Sequence, residues 1–212
     1  MPEKKDQLLK TAFVLSLITI IYNLFEGGVS VFFGAGDNSL TLLGFGIDSF
    51  VEVISGVGIA HMLIRMKRNI EIDRDNFEKQ ALKITGFSFY LLTAGLVFGA
   101  IVNVIEKVNP STTIPGLIIS IISISTMYFL MNAKMKVGAE LKSDAIITDA
   151  KCTKTCLQLS IILLAASILY QVFHILYIDT LGTAGIAYLS FKEGKESFEK
   201  AKTGRIDCCD DD

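Results

Sequence analysis

The stretch Asp149-Ala-Lys-Cys152-Thr-Lys-Thr-Cys156 leads directly into an apolar run from Leu157 to Tyr170. The run predicts a membrane helix, and one helix through both parts would place Cys152 and Cys156 four residues apart on one face, with Asp149 one turn before Cys152. Polar groups within a membrane-spanning helix cost free energy unless they have partners. This stretch therefore indicates a spanning segment that also carries a functional site.

A second stretch repeats the four-residue spacing with carboxyl groups. Asp48 and Glu52 lie inside another apolar run, from about Leu40 to Ile64. Two such pairs facing each other would supply four ligands to a metal ion, which would neutralise the carboxylates. Thiolate ligands favour zinc or softer ions over magnesium and calcium. We therefore predict a site for zinc, with cadmium, mercury, cobalt, iron and copper as alternatives.

The composition indicates an integral membrane protein. The chain has 212 residues, of which 51% are hydrophobic and 20% charged, and its mean hydropathy is +0.51. These values are too apolar for an ordinary soluble domain. The net charge of −2 gives no support to nucleic-acid binding. The four cysteines have neither the spacing of a secreted disulfide framework nor that of a zinc ribbon.

We predict an all-α bundle of six transmembrane helices. The first apolar run is longer than the core of a signal peptide and lacks a small-residue cleavage pattern, so we interpret it as a span. The predicted spans are Thr11–Phe33, Leu40–Ile64, Ile84–Ile105, Ile114–Leu130, Asp144–Phe173 and Leu181–Phe191. Residues 1–200 would form this domain, and residues 201–212 a short acidic tail that contains Cys208 and Cys209.

The basic residues predict the orientation of the bundle. Lysine and arginine concentrate in the amino end, in the connections after the second and fourth spans, and in the tail, whereas the other connections hold only Lys107. We expect Lys134, Lys136 and Lys142 to lie in the connection after the fourth span. By the positive-inside rule, both termini are expected in the cytoplasm, with the cell membrane as the location.

Three motifs together resemble those of the cation diffusion facilitators, which export zinc and related metals. They are Ser39-Leu-Thr-Leu-Leu-Gly-Phe-Gly-Ile-Asp48-Ser-Phe-Val-Glu52-Val, Asp149-Ala-Lys-Cys152-Thr-Lys-Thr-Cys156-Leu and Asp179-Thr-Leu-Gly-Thr-Ala-Gly-Ile-Ala-Tyr. The resemblance implies metal ligands at Asp48, Glu52, Cys152 and Cys156. It also implies alternating access, protons as the counter-ion and a homodimer.

The sequence departs from this family in three places. Two cysteines stand where the fifth span usually has histidine and aspartate, and Phe45 replaces an acid that often precedes the second-span ligands. The family's cytoplasmic ferredoxin-like domain is expected to be missing, which leaves the transmembrane domain alone.

Several alternatives stay open at this point. Asp149, Glu26 and Asn23 would line the ion pathway, or would form ion pairs and hydrogen bonds between helices. His61 and His174 are interpreted as interfacial residues. Gly95 and Gly99 have a spacing that favours close packing within the bundle. An enzyme is not expected, and the rival functions are a metal sensor that does not transport and a membrane thiol–disulfide oxidoreductase.

Overall fold

The computed structural model describes residues 2–67, 74–107, 114–141, 144–173 and 177–203. Within these ranges the chain is all-helical and contains no strand. Its helices are α1 (Pro2–Gly36), α2 (Leu40–Lys67), α3 (Arg74–Glu106), α4 (Ile114–Leu141), α5 (Asp144–Phe173) and α6 (Ile178–Thr203). The prediction of an all-α bundle is confirmed.

The side chains are distributed as in a membrane protein. Five helices contain a segment long and apolar enough to cross a bilayer: Asp6–Gly36, Leu40–His61, Lys83–Glu106, Ile114–Leu141 and Asp149–Phe173. Large apolar side chains face outward, with Phe25 and Phe32 each 74% exposed, while Ser30 and Thr183 are fully buried. Lipid tails are as apolar as these outer side chains, so such a surface is stable in a bilayer. The chain is therefore an integral membrane protein.

Helix α6 differs from the other five helices. Its first half is apolar, but its second half carries Lys192, Glu193, Lys195, Glu196 and Glu199. Among the described residues, no segment of this helix is long and apolar enough to count as a span. The sixth span, Leu181–Phe191, and the orientation of the termini therefore stay predictions.

The turn between α1 and α2 follows from its sequence. Asn38 has a φ of 56°, a conformation that asparagine tolerates. The N–H of Ser39 bonds to the carbonyl of Gly34 at 3.0 Å, which is the pattern of a Schellman helix end. Ser39 then starts α2, because its Oγ accepts a bond of 3.3 Å from the N–H of Leu42. Ser39 is thus the N-cap of α2.

Helices α1 and α2 approach closely at glycines. A Cβ atom added at Gly46 would lie 2.8 Å from the backbone nitrogen of Val31. One added at Gly34 would lie 2.5 Å from the nitrogen of Leu43. Only glycine permits backbones at these distances. The predicted pair in α3 behaves differently, because Gly99 contacts Leu40 whereas a Cβ at Gly95 would meet nothing within 4 Å.

Two apolar clusters occupy opposite ends of the bundle. The first apolar cluster joins the start of α1, the end of α2, the second half of α4 and the start of α5: Leu9, Ala12, Leu15, Leu63, Met127, Leu130, Val137, Ile146 and Cys156. The second apolar cluster joins α2, α3, α5 and α6: Leu42, Phe45, Leu92, Leu96, Leu159, Leu163, Ile186 and Ala187. The carboxyl groups of α2 lie between them along the helix.

One predicted boundary needs correction. Helix α4 continues to Leu141, so Lys134 lies inside it and is 1% exposed, not in a charged connection. The error arises because a charged residue does not by itself end a helix. Helix α6 continues past the predicted span to Thr203, and Glu193 on it is only partly exposed. His174, Cys208 and Cys209 lie outside the described residues, as does most of the predicted tail at 201–212.

Candidate functional site

Asp48 and Glu52 face the interior of the bundle, as the helical spacing predicts. Asp48 is 3% exposed and Glu52 is partly buried. The two carboxyl groups are close enough to interact electrostatically. Helix α2 packs against α1, α3, α5 and α6, so its inner face is surrounded by other helices. The carboxyl groups therefore depend on neighbouring helices for their polar partners.

Glu52 lies where three helices meet. Asn23 Nδ2 of α1 donates a hydrogen bond of 2.8 Å to Glu52 Oε2. Cys156 of α5 is close enough to Glu52 to interact with it electrostatically. One oxygen site and one sulfur site of the predicted metal centre thus lie near each other. Asn23 is 1% exposed, and its Oδ1 has no hydrogen-bond partner among the described residues.

Asp48 is connected to α6. Ser190 Oγ donates a hydrogen bond of 3.4 Å to Asp48 Oδ1. Glu193 lies one turn further along α6 and interacts electrostatically with both Asp48 and Glu52. Thr155 Oγ1 of α5 donates to Glu193 Oε1 at 2.9 Å. Helix α6 therefore borders the site. No ligand spacing in its sequence indicated this role.

Glu26 belongs to the same polar region. It is 5% exposed, accepts a hydrogen bond of 2.8 Å from Tyr22, and accepts another of 3.2 Å from Ser49. The bond to Ser49 links α1 to α2, which is one of the two roles that the sequence left open. Glu26 also interacts electrostatically with Asp48 and Glu52. We call the set Asn23, Glu26, Asp48, Glu52, Cys156 and Glu193 the acidic cluster.

Cys152 is the predicted ligand that is least involved in this arrangement. It is partly exposed, whereas Cys156, one turn later, is 4% exposed. The two cysteines are not joined by a disulfide. In the parts of the chain that the structure describes, no three histidine, cysteine, aspartate or glutamate side chains are grouped so that they could hold a metal ion. Coordination by all four predicted residues would need the side chains to move.

Asp149 forms an ion pair, the alternative to a pathway role. Lys134 Nζ of α4 lies 2.9 Å from Asp149 Oδ2, and the two side chains are 2% and 10% exposed. The ammonium group also donates to Thr153 Oγ1 at 3.1 Å. Ser16 of α1 donates to Asp149 Oδ2 at 3.5 Å. The pair thus links three helices near the start of α5.

Asp179, the first residue of the third motif, holds the start of α2 by hydrogen bonds. Its Oδ2 accepts the N–H of Leu40 at 2.8 Å, and its Oδ1 accepts the hydroxyl of Ser39 at 2.7 Å. A carboxylate at the amino end of α2 satisfies free N–H groups and complements the helix dipole. Asp179 of α6 therefore holds the start of α2, the helix that carries Asp48 and Glu52. Its position at the start of α6 was the only sequence signal.

The acidic cluster combines four carboxyl groups with a thiol inside an apolar bundle. Lys134 is close enough to act electrostatically on Glu52. Carboxyl groups gathered in this way either share protons or attract a cation, because their joint ionisation without compensation is unfavourable. Protons can satisfy the carboxyl groups as they stand, whereas a divalent cation would need the side chains to move closer together, and the thiol would favour a soft one.

Comparisons with known proteins add no evidence on function, so the chemistry of the acidic cluster is the main evidence. The sequence matches no protein-family model, and a search among curated proteins finds no significant match. The resemblance to cation diffusion facilitators accordingly rests on the motifs around Asp48, Cys152 and Asp179.

Proposed function

We propose that this chain is a membrane transporter for a divalent transition-metal or heavy-metal cation, with zinc as the first candidate. The observation that supports this most directly is the acidic cluster, in which Glu52 interacts electrostatically with Cys156 and Asp48. A carboxylate pair and a thiol on facing helices suit an ion that accepts both oxygen and sulfur.

The ligands we propose for the ion are Asp48, Glu52, Cys152 and Cys156. Binding would release the proton of Cys156, since a thiol loses its proton when it becomes a metal ligand. Cys152 would join after a rotation of α5 or a change of its side chain. Protons released in this way supply a counter-ion, which supports export by proton exchange.

The proposed topology has six spans with both termini in the cytoplasm of a cell-membrane protein. The distribution of lysine and arginine supports it. Helix α6 would be the sixth span because it packs against α2, α3 and α5. A homodimer and membership of the cation diffusion facilitators are further parts of this proposal and follow from the motif resemblance.

Flux measurements in proteoliposomes test the proposal. Zinc, cadmium and mercuric ion uptake and lumen pH would be followed for the wild type, Asp48→Ala, and the double variant Cys152→Ser with Cys156→Ser. Asp6→Ala is a matched control, because the Asp6 side chain is 45% exposed. We expect the site variants to lose flux and the control to retain it.

The same experiment separates the rival functions. Metal binding without flux in the wild type would support a sensor. Thiol–disulfide exchange activity that requires both cysteines, without metal flux, would support an oxidoreductase. A lumen pH that stays constant during metal uptake would contradict proton exchange.

A further inference from the structure

The ion pair between Lys134 and Asp149 is buried in the bundle and calls for an explanation beyond stability. Its two side chains are 2% and 10% exposed, and their charged atoms are 2.9 Å apart. Moving two charges out of water costs about as much as their attraction returns, so an apolar pair of similar volume is often equally stable. A buried ion pair in place of such an apolar pair suggests a specific use for its charges.

The pair lies on one side of the acidic cluster. Asp149 precedes Cys152 by about 4.5 Å and Cys156 by about 10 Å along the axis of α5, at 1.5 Å per residue. Lys134 is in the last third of α4, whose end at Leu141 is followed by the start of α5 at Asp144. The pair is thus between the thiols and the α4–α5 end of the bundle.

Three helices meet at this pair. Lys134 belongs to α4, Asp149 and Thr153 belong to α5, and Ser16 of α1 donates to Asp149. The first apolar cluster surrounds the same level, with Leu15, Leu130 and Ile146 among its members. Apolar side chains at this level disfavour the entry of a hydrated ion. If Lys134 and Asp149 separated, water or a cation would stabilise their charges.

We propose that the ion pair of Lys134 with Asp149 is a latch that closes the acidic cluster toward the α4–α5 end of the bundle. When it opens, Asp149 is freed as a carboxylate on the route to Glu52 and Cys156, and α4 separates from α5. Lys134 is then a positioning residue, since it acts through Asp149 and α5. The latch rests on the proposed function for its purpose, but its opening is measurable without any metal.

The rate at which Cys156 reacts with a membrane-impermeant maleimide tests the latch. The full chain is labelled in membrane vesicles with the α4–α5 end exposed to the reagent, and modification of each cysteine is quantified by mass spectrometry of its peptide. In Lys134→Met and Asp149→Asn, we expect Cys156 to react about tenfold faster than in the wild type, because removal of one partner strongly destabilises a buried pair. The exchange of both residues, Lys134→Asp with Asp149→Lys, should restore the slow rate.

Two controls distinguish a latch from general loosening of the fold. Lys192→Met removes an exposed lysine that lies 3.9 Å from Glu196 and should leave the rate unchanged. The second control adds Ile186→Cys to each variant, because Ile186 is fully buried in the second apolar cluster. Opening of the latch should leave the thiol at position 186 protected. Equal acceleration of labelling at positions 156 and 186 would overturn the latch. The latch would also be overturned if Cys156 reacted at the wild-type rate in folded Lys134→Met and Asp149→Asn.

The latch and the proposed function fail separately. Faster labelling of Cys156 in Lys134→Met supports the latch even if the wild type moves no zinc. Zinc flux with an unchanged labelling rate in folded variants retains the transporter and removes the latch.

Discussion

Asn23 of α1 donates a hydrogen bond of 2.8 Å from its Nδ2 to Oε2 of Glu52 on α2. This bond ties a buried amide of α1 to a predicted metal ligand of α2. The partners of a ligand influence metal affinity nearly as much as the ligand itself. Asn23 therefore provides a sensitive test of the site.

Substitution Asn23→Ala should weaken zinc binding by about tenfold or more, as loss of a ligand's hydrogen-bond partner does in other metal sites. The measurement is isothermal titration calorimetry of the purified protein with zinc. Asn132→Ala is a matched control, because exposed Asn132 bonds only to the carbonyl of Tyr128 in its own helix. Equal zinc affinity in both variants would show that Asn23 does not support the site.

The deeper burial of Cys156 predicts which cysteine matters more for soft ions. Cys156→Ser replaces a thiolate ligand with a hydroxyl group, and we expect cadmium affinity to fall by about 100-fold, since cadmium prefers sulfur. Cys152→Ser should cause a smaller loss because Cys152 is partly exposed. Competition with a chelator of known affinity measures both. A larger loss in Cys152→Ser would reverse the order of the two ligands.

Proton release on metal binding tests the role of the thiol. If a thiol or carboxyl group gives up its proton to become a ligand, zinc binding releases protons and tightens as pH rises. Calorimetry in buffers of different ionisation enthalpy counts these protons. We expect fewer released protons in Cys156→Ser than in the wild type, because a serine hydroxyl keeps its proton. An unchanged proton count would exclude Cys156 as a source.

Asp179 should stabilise the fold without binding the ion. Asp179→Ala removes the acceptor for the N–H of Leu40 and the hydroxyl of Ser39. We expect a loss of about 2 kcal/mol in the free energy of unfolding, the usual scale for a charged cap. Thermal unfolding in detergent measures it, with Asp6→Ala as the exposed control. A loss no greater than that of the control would contradict the cap.

The close approach of α1 and α2 is tested by a pair of glycines. Gly46→Ala places a methyl group 2.8 Å from the nitrogen of Val31, whereas the same change at Gly28 meets nothing within 4 Å. Gly46→Ala should lower the free energy of unfolding by about 1–3 kcal/mol through overpacking. Gly28→Ala should raise it by up to about 1 kcal/mol, because alanine favours a helix. Similar unfolding temperatures for the two variants would contradict this packing.

Local patterns were sufficient to predict the helices. The apolar runs, the turn at Asn38 and Ser39, and the inward direction of Asp48 and Glu52 all depend on neighbours along the chain. Helical spacing alone places residues four apart on one face. The facing of the carboxyl and thiol pairs as four metal ligands stays a prediction, because these residues do not form a metal group among the described residues.

The partners of charged residues were not predictable from local patterns. Lys134 looked like part of a solvated connection, but it is buried because α4 continues and α5 offers Asp149 at the same level. Glu193 is a further example, because Thr155 of α5 donates a hydrogen bond to it and it interacts electrostatically with Asp48 of α2.

The sequence by itself determined that this is a helical membrane protein with paired carboxyl and thiol groups in two of its helices, because hydropathy and helical periodicity are properties of contiguous residues. Only the tertiary structure decided that Asn23, Lys134, Asp179 and Glu193 support or border those groups. The physical reason is that burial and pairing of a charge depend on which faces of distant helices meet, and close contacts such as that of Gly46 with Val31 determine those faces.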